Sequence, residues 1–259
     1  MKHTILLIAS LLHPVIPASA AVTVLNYYRL GDADPGAVSG SVANSLTTDS
    51  VGSSNLTRSG SPTYSSSLPA SSVGGTSNIL AISFSGASTD AYSFATRLTD
   101  TQNNFGLEVF VNSSTVSGNA NLVYNGKPGS SGFGLHRIGN LYQALLGTNP
   151  GTFFGSSNVI TGSWVHLALV RDNGISTFYV DGIASGTSAG TPKFGSNPFA
   201  LGSSNFSGLL DEVRVFTFTA GAFSTNDLLI NQVPEPGYAT LFLVGVAGLL
   251  TRRSRTRRD

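Results

Sequence analysis

The sequence predicts an all-β protein folded as a sandwich or jelly roll, and three observations carry that prediction. Charged residues make up only 10% of the 259-residue chain, against ~25% in average soluble proteins, which excludes a coiled coil or a long solvated helix. Glycine occurs 30 times, so residues that turn the chain at positive φ are plentiful. Short apolar runs, each bounded by Gly, Ser, Asn or Pro clusters, recur from residue 21 to residue 231. That spacing of strand-length runs and turn signals is the pattern of a sandwich or barrel. The hydrophobic fraction is 41% and there is no cysteine. A body of this length buries a core without disulfides.

In chain order, residues 1–20 are expected to be a secretion signal. Lys2 and His3 form the polar start, and Ile5 to Leu12 is apolar or small. Pro14 and Pro17 break the helix, and Ala18-Ser19-Ala20 places small residues at −3 and −1 of a signal-peptidase cut after Ala20. Eight apolar residues make about 12 Å of helix, far short of a ~30 Å bilayer core, so the segment is not a membrane anchor.

Residues 21–231 are expected to form the sandwich. Strands are predicted at 22–28, 79–84, 92–98, 107–111, 122–124, 134–138, 141–146, 164–171, 175–180, 199–201 and 209–216. The stretch 31–75 is expected to be mostly loop, with one or two short strands. The clearest local structure is a hairpin. Residues 164–171 are apolar on both faces, as in an interior strand. Asp172-Asn173-Gly174 then turns the chain, because Asn and Gly tolerate positive φ. Ile175–Val180 returns, and Asp181-Gly182 makes the next turn. Ser224 and Asp227 have capping-box spacing ahead of a short helix expected over 228–231.

Residues 232–259 are a second address. Val233-Pro234-Glu235-Pro236 (233–236) precedes an uncharged run over 238–250, and Arg252, Arg253, Arg255, Arg257 and Arg258 crowd the end, over 252–258. The run makes about 20 Å of helix, which arginine snorkelling and local thinning help to span a bilayer. The arginines are a positive-inside signal, fixing the tail on the cytoplasmic side. A buried core helix would gain nothing from such a flank.

These three parts in order resemble a PEP-CTERM sorting signal. The resemblance implies that Pro234, Glu235 and Pro236 are recognised by the exosortase, a membrane transpeptidase-like enzyme that removes the tail during export. It implies a bacterial host that makes exopolysaccharide, and a destination at the cell surface, outer envelope or extracellular matrix. The C-terminal helix would hold the chain in the membrane only until processing.

A second resemblance lies in the body. Trp164-Val165-His166-Leu167-Ala168-Leu169-Val170-Arg171-Asp172, then Phe178-Tyr179-Val180-Asp181-Gly182, and later Gly208-Leu209-Leu210-Asp211-Glu212-Val213-Arg214-Val215-Phe216, are similar to laminin-G-like, concanavalin A-like domains. The implied fold is all-β, a two-sheet antiparallel jelly-roll sandwich. The implied roles are carbohydrate recognition, protein recognition or plain adhesion, among which fold does not choose.

Charge argues against nucleic acid. Between Ala21 and Val233 the chain carries eight basic and eleven acidic residues, net −3. A nucleic-acid-binding body would carry its own basic stripe. Chemistry is also sparse. After signal removal two histidines remain, His136 and His166, with no zinc-ligand spacing around them. Both are expected to be structural, since nothing near them in sequence supplies a nucleophile–base–orienter set. The enzymes of the implied fold hydrolyse glycans with two facing carboxylates. The body has only two glutamates, Glu108 and Glu212. Glu108 has no acidic partner at +2 or +5, and adjacent Asp211 and Glu212 should face opposite ways on a strand.

The protein is therefore expected to be a non-enzymatic adhesive or structural module. A carbohydrate-binding module for exopolysaccharide is the alternative, and a glycoside hydrolase a minor one. No cofactor is required. The resemblance admits Ca²⁺, with Asp211 as the first candidate ligand and Asp32, Asp34, Asp49 and Asp181 behind it. Phe153 and Phe154, read as lying in a Gly-rich loop, are the candidate sugar platform; the bland alternative is one aromatic plugging the sandwich end. The lone Trp164 is expected in the core. Expected partners are signal peptidase, exosortase and matrix polysaccharide.

Overall fold

The computed structural model of the protein describes residues 22–70, 72–195 and 197–232. The expected signal peptide with Ala18 and Ala20, the motif Pro234, Glu235 and Pro236, the helix over 238–250, and Arg252, Arg253, Arg255, Arg257 and Arg258 lie outside the described residues. Among the described residues no helix is long and apolar enough to cross a membrane.

The described chain is strands joined by turns. In order they are β1 (Thr23–Tyr28), β2 (Leu46–Thr47), β3 (Leu56–Ser59), β4 (Thr63–Ser65), β5 (Ser72–Val73), β6 (Thr76–Ser77), β7 (Ala81–Ser85), β8 (Ala91–Phe94) and β9 (Phe105–Ser113). Then come β10 (Asn119–Lys127), β11 (Ser131–Ile138), β12 (Leu141–Leu146), β13 (Thr152–Asn158), β14 (Val165–Asp172), β15 (Ile175–Val180), β16 (Ile183–Ser188), β17 (Phe199–Ser203) and β18 (Ser207–Thr217). One eight-stranded sheet runs β16-β15-β14-β9-β18-β7-β4, with β1 also on β18. The other runs β13-β12-β11-β10-β17-β8-β3-β2. The pairings in both are antiparallel, and β5–β6 is a separate small hairpin.

The main core lies between the sheets. Leu107, Val109 and Val111 of β9 point inward, as do Leu167 and Leu169 of β14, against Leu122, Phe133, Leu135 and Leu201 of the facing sheet. Period-two alternation puts these side chains on one face. Aromatic pairs bridge the layers: Phe105 stacks on Phe133 with centroids 3.9 Å apart, and Tyr28 on Phe199 at 5.9 Å.

The first sheet is also buried on its outer face, which explains why residues 164–171 read as apolar on both sides. Ala168, Val170 and Phe216 pack under Phe218 and Leu228, and Phe110 packs under Leu229. The Phe216 ring covers Gly106, where a β-carbon would stand 2.0 Å from its nearest atom. The cover comes from the chain after β18. Its capping box forms as expected, with Ser224 accepting from Asn226 and Asp227 accepting from the Ser224 N–H. Where one short helix is expected, two 3₁₀ turns follow, Thr225–Asp227 and Leu229–Asn231, with Leu228 extended between them.

Other expectations are corrected. Residues 152–158 form edge strand β13, so Phe153 and Phe154 are not in a loop. Ile183–Ser188 forms strand β16, which is absent from the predicted set. The 31–75 stretch holds β2 to β5, more than the one or two strands expected. Trp164 precedes β14 and is half-buried on the outer face, beside Phe110 and Leu229, because Val165 takes the inward position.

Candidate functional site

The fold gathers several of its ionisable side chains into two buried clusters on the first sheet. In β9, inward Leu107 and Val109 force Glu108 to the outer face, under the C-terminal cover. The register sets Arg214 of β18 on one side of it and Ala168 of β14 on the other. His166, two residues before Ala168, shares that face. Glu108 Oε1 accepts from Arg214 Nε at 2.5 Å. Its Oε2 lies 2.8 Å from His166 Nε2 and accepts the Leu229 N–H at 3.0 Å. Arg214 also donates to the Asp227 carbonyl and sits 4.8 Å over the Phe216 ring. Burial raises the Glu108 carboxyl, but the Arg214 charge and the His166 hydrogen bond outweigh it and hold its pKa below the ordinary carboxylate value.

A carboxylate holding an imidazole is two-thirds of a nucleophilic triad. Here His166 Nδ1 has no hydrogen-bond partner, and both side chains are fully buried. The pair therefore presents no atom to solvent. The sequence reading placed no partner near His166; the partner lies 58 residues away and is brought in by strand register alone.

The second cluster surrounds Asp211. Asp211 Oδ2 accepts from Asn78 at 2.8 Å, and Oδ1 accepts the Glu212 N–H at 2.9 Å. Glu212 does not alternate away as strand geometry predicts. Its φ is 51° and the register slips between Asp211 and Arg214, a bulge where β18 exchanges β7 for β1 as neighbour. A bulge re-aims side chains, so both carboxylates are buried in one cluster. Arg29 answers Glu212 Oε1 at 3.2 Å and Asp32 at 2.6 Å. Burial first, and then mutual repulsion, raise the Asp211 carboxyl well above its ordinary value, and burial raises Glu212.

These side chains do not make a calcium cage. Asp32 Oδ1 accepts the Ile79 and Leu80 N–H groups. Besides Arg29, Glu212 faces the Tyr27 hydroxyl, so the cluster offers no set of free oxygens approaching the six to eight that calcium takes. Among the described residues no group of three or more acidic, histidine or cysteine side chains is arranged to hold a metal. The other aspartates organise loops. Asp49 accepts from Asn26 and from four backbone N–H groups. Asp34 accepts from Thr47, Thr48 and Tyr64. Asp181, a turn residue with φ of 48°, accepts the His166 N–H.

Phe153 and Phe154 point to opposite faces of β13. Phe154 is in the main core. Phe153 is 45% exposed on the outer face of the second sheet, edge-on to His136 at 5.7 Å, and His136 meets Tyr124 at 5.2 Å. Burial alone drops the His136 pKa to about 4. One of the two phenylalanines is thus available as a platform, and the other plugs the sandwich.

The chain belongs to the concanavalin A-like lectin/glucanases superfamily, whose laminin-G-type family model matches residues 85–222. No curated protein matches it in sequence. Among solved structures it is similar to domain 4 of AbnA, a GH43 extracellular arabinanase from Geobacillus stearothermophilus, in complex with arabinotriose. That match has a TM-score of 0.60 at 20% identity and covers 80% of this chain and 98% of that one. It is also similar to Trypanosoma rangeli sialidase in complex with the inhibitor DANA, with a TM-score of 0.54 at 16% identity, over 86% of this chain and 35% of the sialidase. The botulinum neurotoxin serotype D binding domain gives 0.55 at 11% identity, over 81% of this chain and 51% of that one. At these identities the likeness is one of fold.

Proposed function

We propose that this protein is an exported, non-enzymatic adhesive or structural module of the bacterial cell surface or extracellular matrix. The observation that carries the reading is the fate of its reactive side chains. Glu108, Asp211, Glu212 and His166 are all fully buried. What faces outward is largely hydroxyl, amide and glycine, with a net charge of −3 over the body. Such a surface suits a hydrated polysaccharide matrix and offers nucleic acid no basic stripe. The terminal sequences support delivery by signal peptidase and exosortase, with the membrane a transit stage. Mass spectrometry of protein recovered from the cell surface tests this. Absence of every peptide from residue 249 to residue 259 is expected, and an intact tail overturns exosortase processing.

A second reading, carbohydrate binding, is favoured by the exposed Phe153 platform and by the domain similar in fold that was solved with arabinotriose. A glycan array run with and without a calcium chelator tests it, and the chelator arm reads the calcium assistance that the family resemblance raises. Retention of no glycan in either arm sinks this reading.

A further inference from the structure

One open end of the sandwich holds a cleft that no part of the fold requires. It lies where β12 and β13 of the second sheet face β14 and β15 of the first, and its volume is about 140 Å³. Val165 and Val180 close its apolar depth, and Ile160 stands at its rim 70% exposed. The protein's single tryptophan, Trp164, forms part of the wall. The polar lining is Ser157, Asn158, Ser163 and Asp181.

We propose that this cleft is a binding subsite for one ring of a neutral glycan. The proposal rests on the carbohydrate-binding reading and adds to the Phe153 platform a second, enclosed site. Size decides the first point. The cleft is smaller than the ~300–1,000 Å³ pockets of drug-sized ligands, so it takes a monosaccharide-sized group of a longer chain and not the chain itself. Lining decides the second. An apolar wall with a few convergent polar groups is the make-up of a specific small-ligand site. The side chains of Ser157, Asn158 and Ser163 make no hydrogen bond to another described residue, and Asp181 commits only Oδ1, to the His166 N–H. Hydroxyls, an amide and a free carboxylate oxygen match the alternating donors and acceptors of a sugar. Charge decides the third. Asp181 is the only charged residue in the lining, and no cation there offsets it. A uronate or phosphorylated sugar would meet uncompensated repulsion, whereas a neutral one would not.

Trp164 makes the test direct, because it is the protein's single tryptophan and it lines this cleft. The full chain is titrated with neutral oligosaccharides of arabinose, xylose, glucose and galactose, beside uronate-containing oligomers. A saturable change in Trp164 emission with a neutral oligomer is expected, with at least tenfold weaker response to uronates. Asn158→Ala, at an exposed position without side-chain bonds, should weaken the neutral ligand about tenfold. Asp181→Asn keeps an oxygen for the His166 N–H and tolerates the positive φ, and it should narrow the discrimination against uronates. If the array retains a neutral glycan while Trp164 emission and the Asn158→Ala affinity stay unchanged, the protein binds sugar elsewhere and the cleft assignment is wrong. A blank array removes both the assignment and the reading beneath it.

Discussion

Glu108 and His166 sit on neighbouring antiparallel strands with their side chains 2.8 Å apart, sealed beneath the chain that follows the last strand. The pair acts together with Arg214 as a keystone. Three elements, β9, β14 and β18, supply the side chains, and the Leu229 N–H supplies a fourth contact.

Removing the charge from Glu108 should therefore cost much of the protein's stability. Breaking one partner of a buried ion pair typically costs about 3–5 kcal/mol, because the remaining charge is left buried and unanswered. Glu108→Gln is expected to lower the urea midpoint accordingly. A variant as stable as the wild type would show that the cluster bears no structural load. In the wild type, the depressed Glu108 pKa stabilises the fold above about pH 4.5, its value in the unfolded chain. That contribution is lost as pH falls through the lower, folded value.

His136 adds a second acid-sensitive element. Folded, it titrates at about 4; unfolded, at ~6.5. Between those values only the unfolded chain takes up a proton, so stability is full above pH 6.5 and declines as pH falls to 4. The decline amounts to about 3 kcal/mol. His136 Nε2 has no partner and its neighbours are aromatic rings, so His136→Phe should fold normally at pH 7. Denaturation of both proteins at pH 7 and pH 4 should show the variant losing about 3 kcal/mol less than the wild type; equal losses would falsify the assignment.

The Asp211–Glu212 pair works in the opposite sense. Both folded pKa values are raised, so the stability tied to their protonated forms is complete below about pH 4 and is lost as pH rises through the folded values. Asp211→Asn should thus gain on the wild type at pH 8 and lose that advantage at pH 4. The unpaired Asn78 Oδ1 makes the exchange feasible, since a reversed Asn78 amide can accept from the new Asn. A variant that is less stable than wild type at pH 8 contradicts the sign.

The two adjacent phenylalanines should separate cleanly. Phe154→Ala empties a core position and is expected to cost about 3–5 kcal/mol. Phe153→Ala should change stability by less than about 1 kcal/mol. Paired thermal melts check this, and equal losses would mean that both rings are core.

Local chemistry made the β14–β15 hairpin legible. A strand-length run apolar on both faces marked β14, β-branched and aromatic residues marked β15, and Asn173 and Gly174 turn at φ of 48° and 83° as their residue types suggest. The capping box was legible for the same reason. Strand β13 was not, because Thr152–Asn158 mixes aromatics with glycine and serine and has an edge position with no alternation to show. The clusters were hidden for a different reason. Glu108 meets His166 only through register between distant strands, and Glu212 joins Asp211 only through a bulge whose residue type gives no warning.

The two short turns at the end of the described chain also define how the protein bears tension. Gln232 donates to the Asp227 carbonyl, the same oxygen Arg214 holds, and Leu229 is tied to Glu108. A pull on whatever follows Gln232 is thus shared first among these bonds, across the middle of the first sheet. A tether on that end would therefore pull first on a network centred on β9 and β18, interior strands of the first sheet, and not on an edge strand.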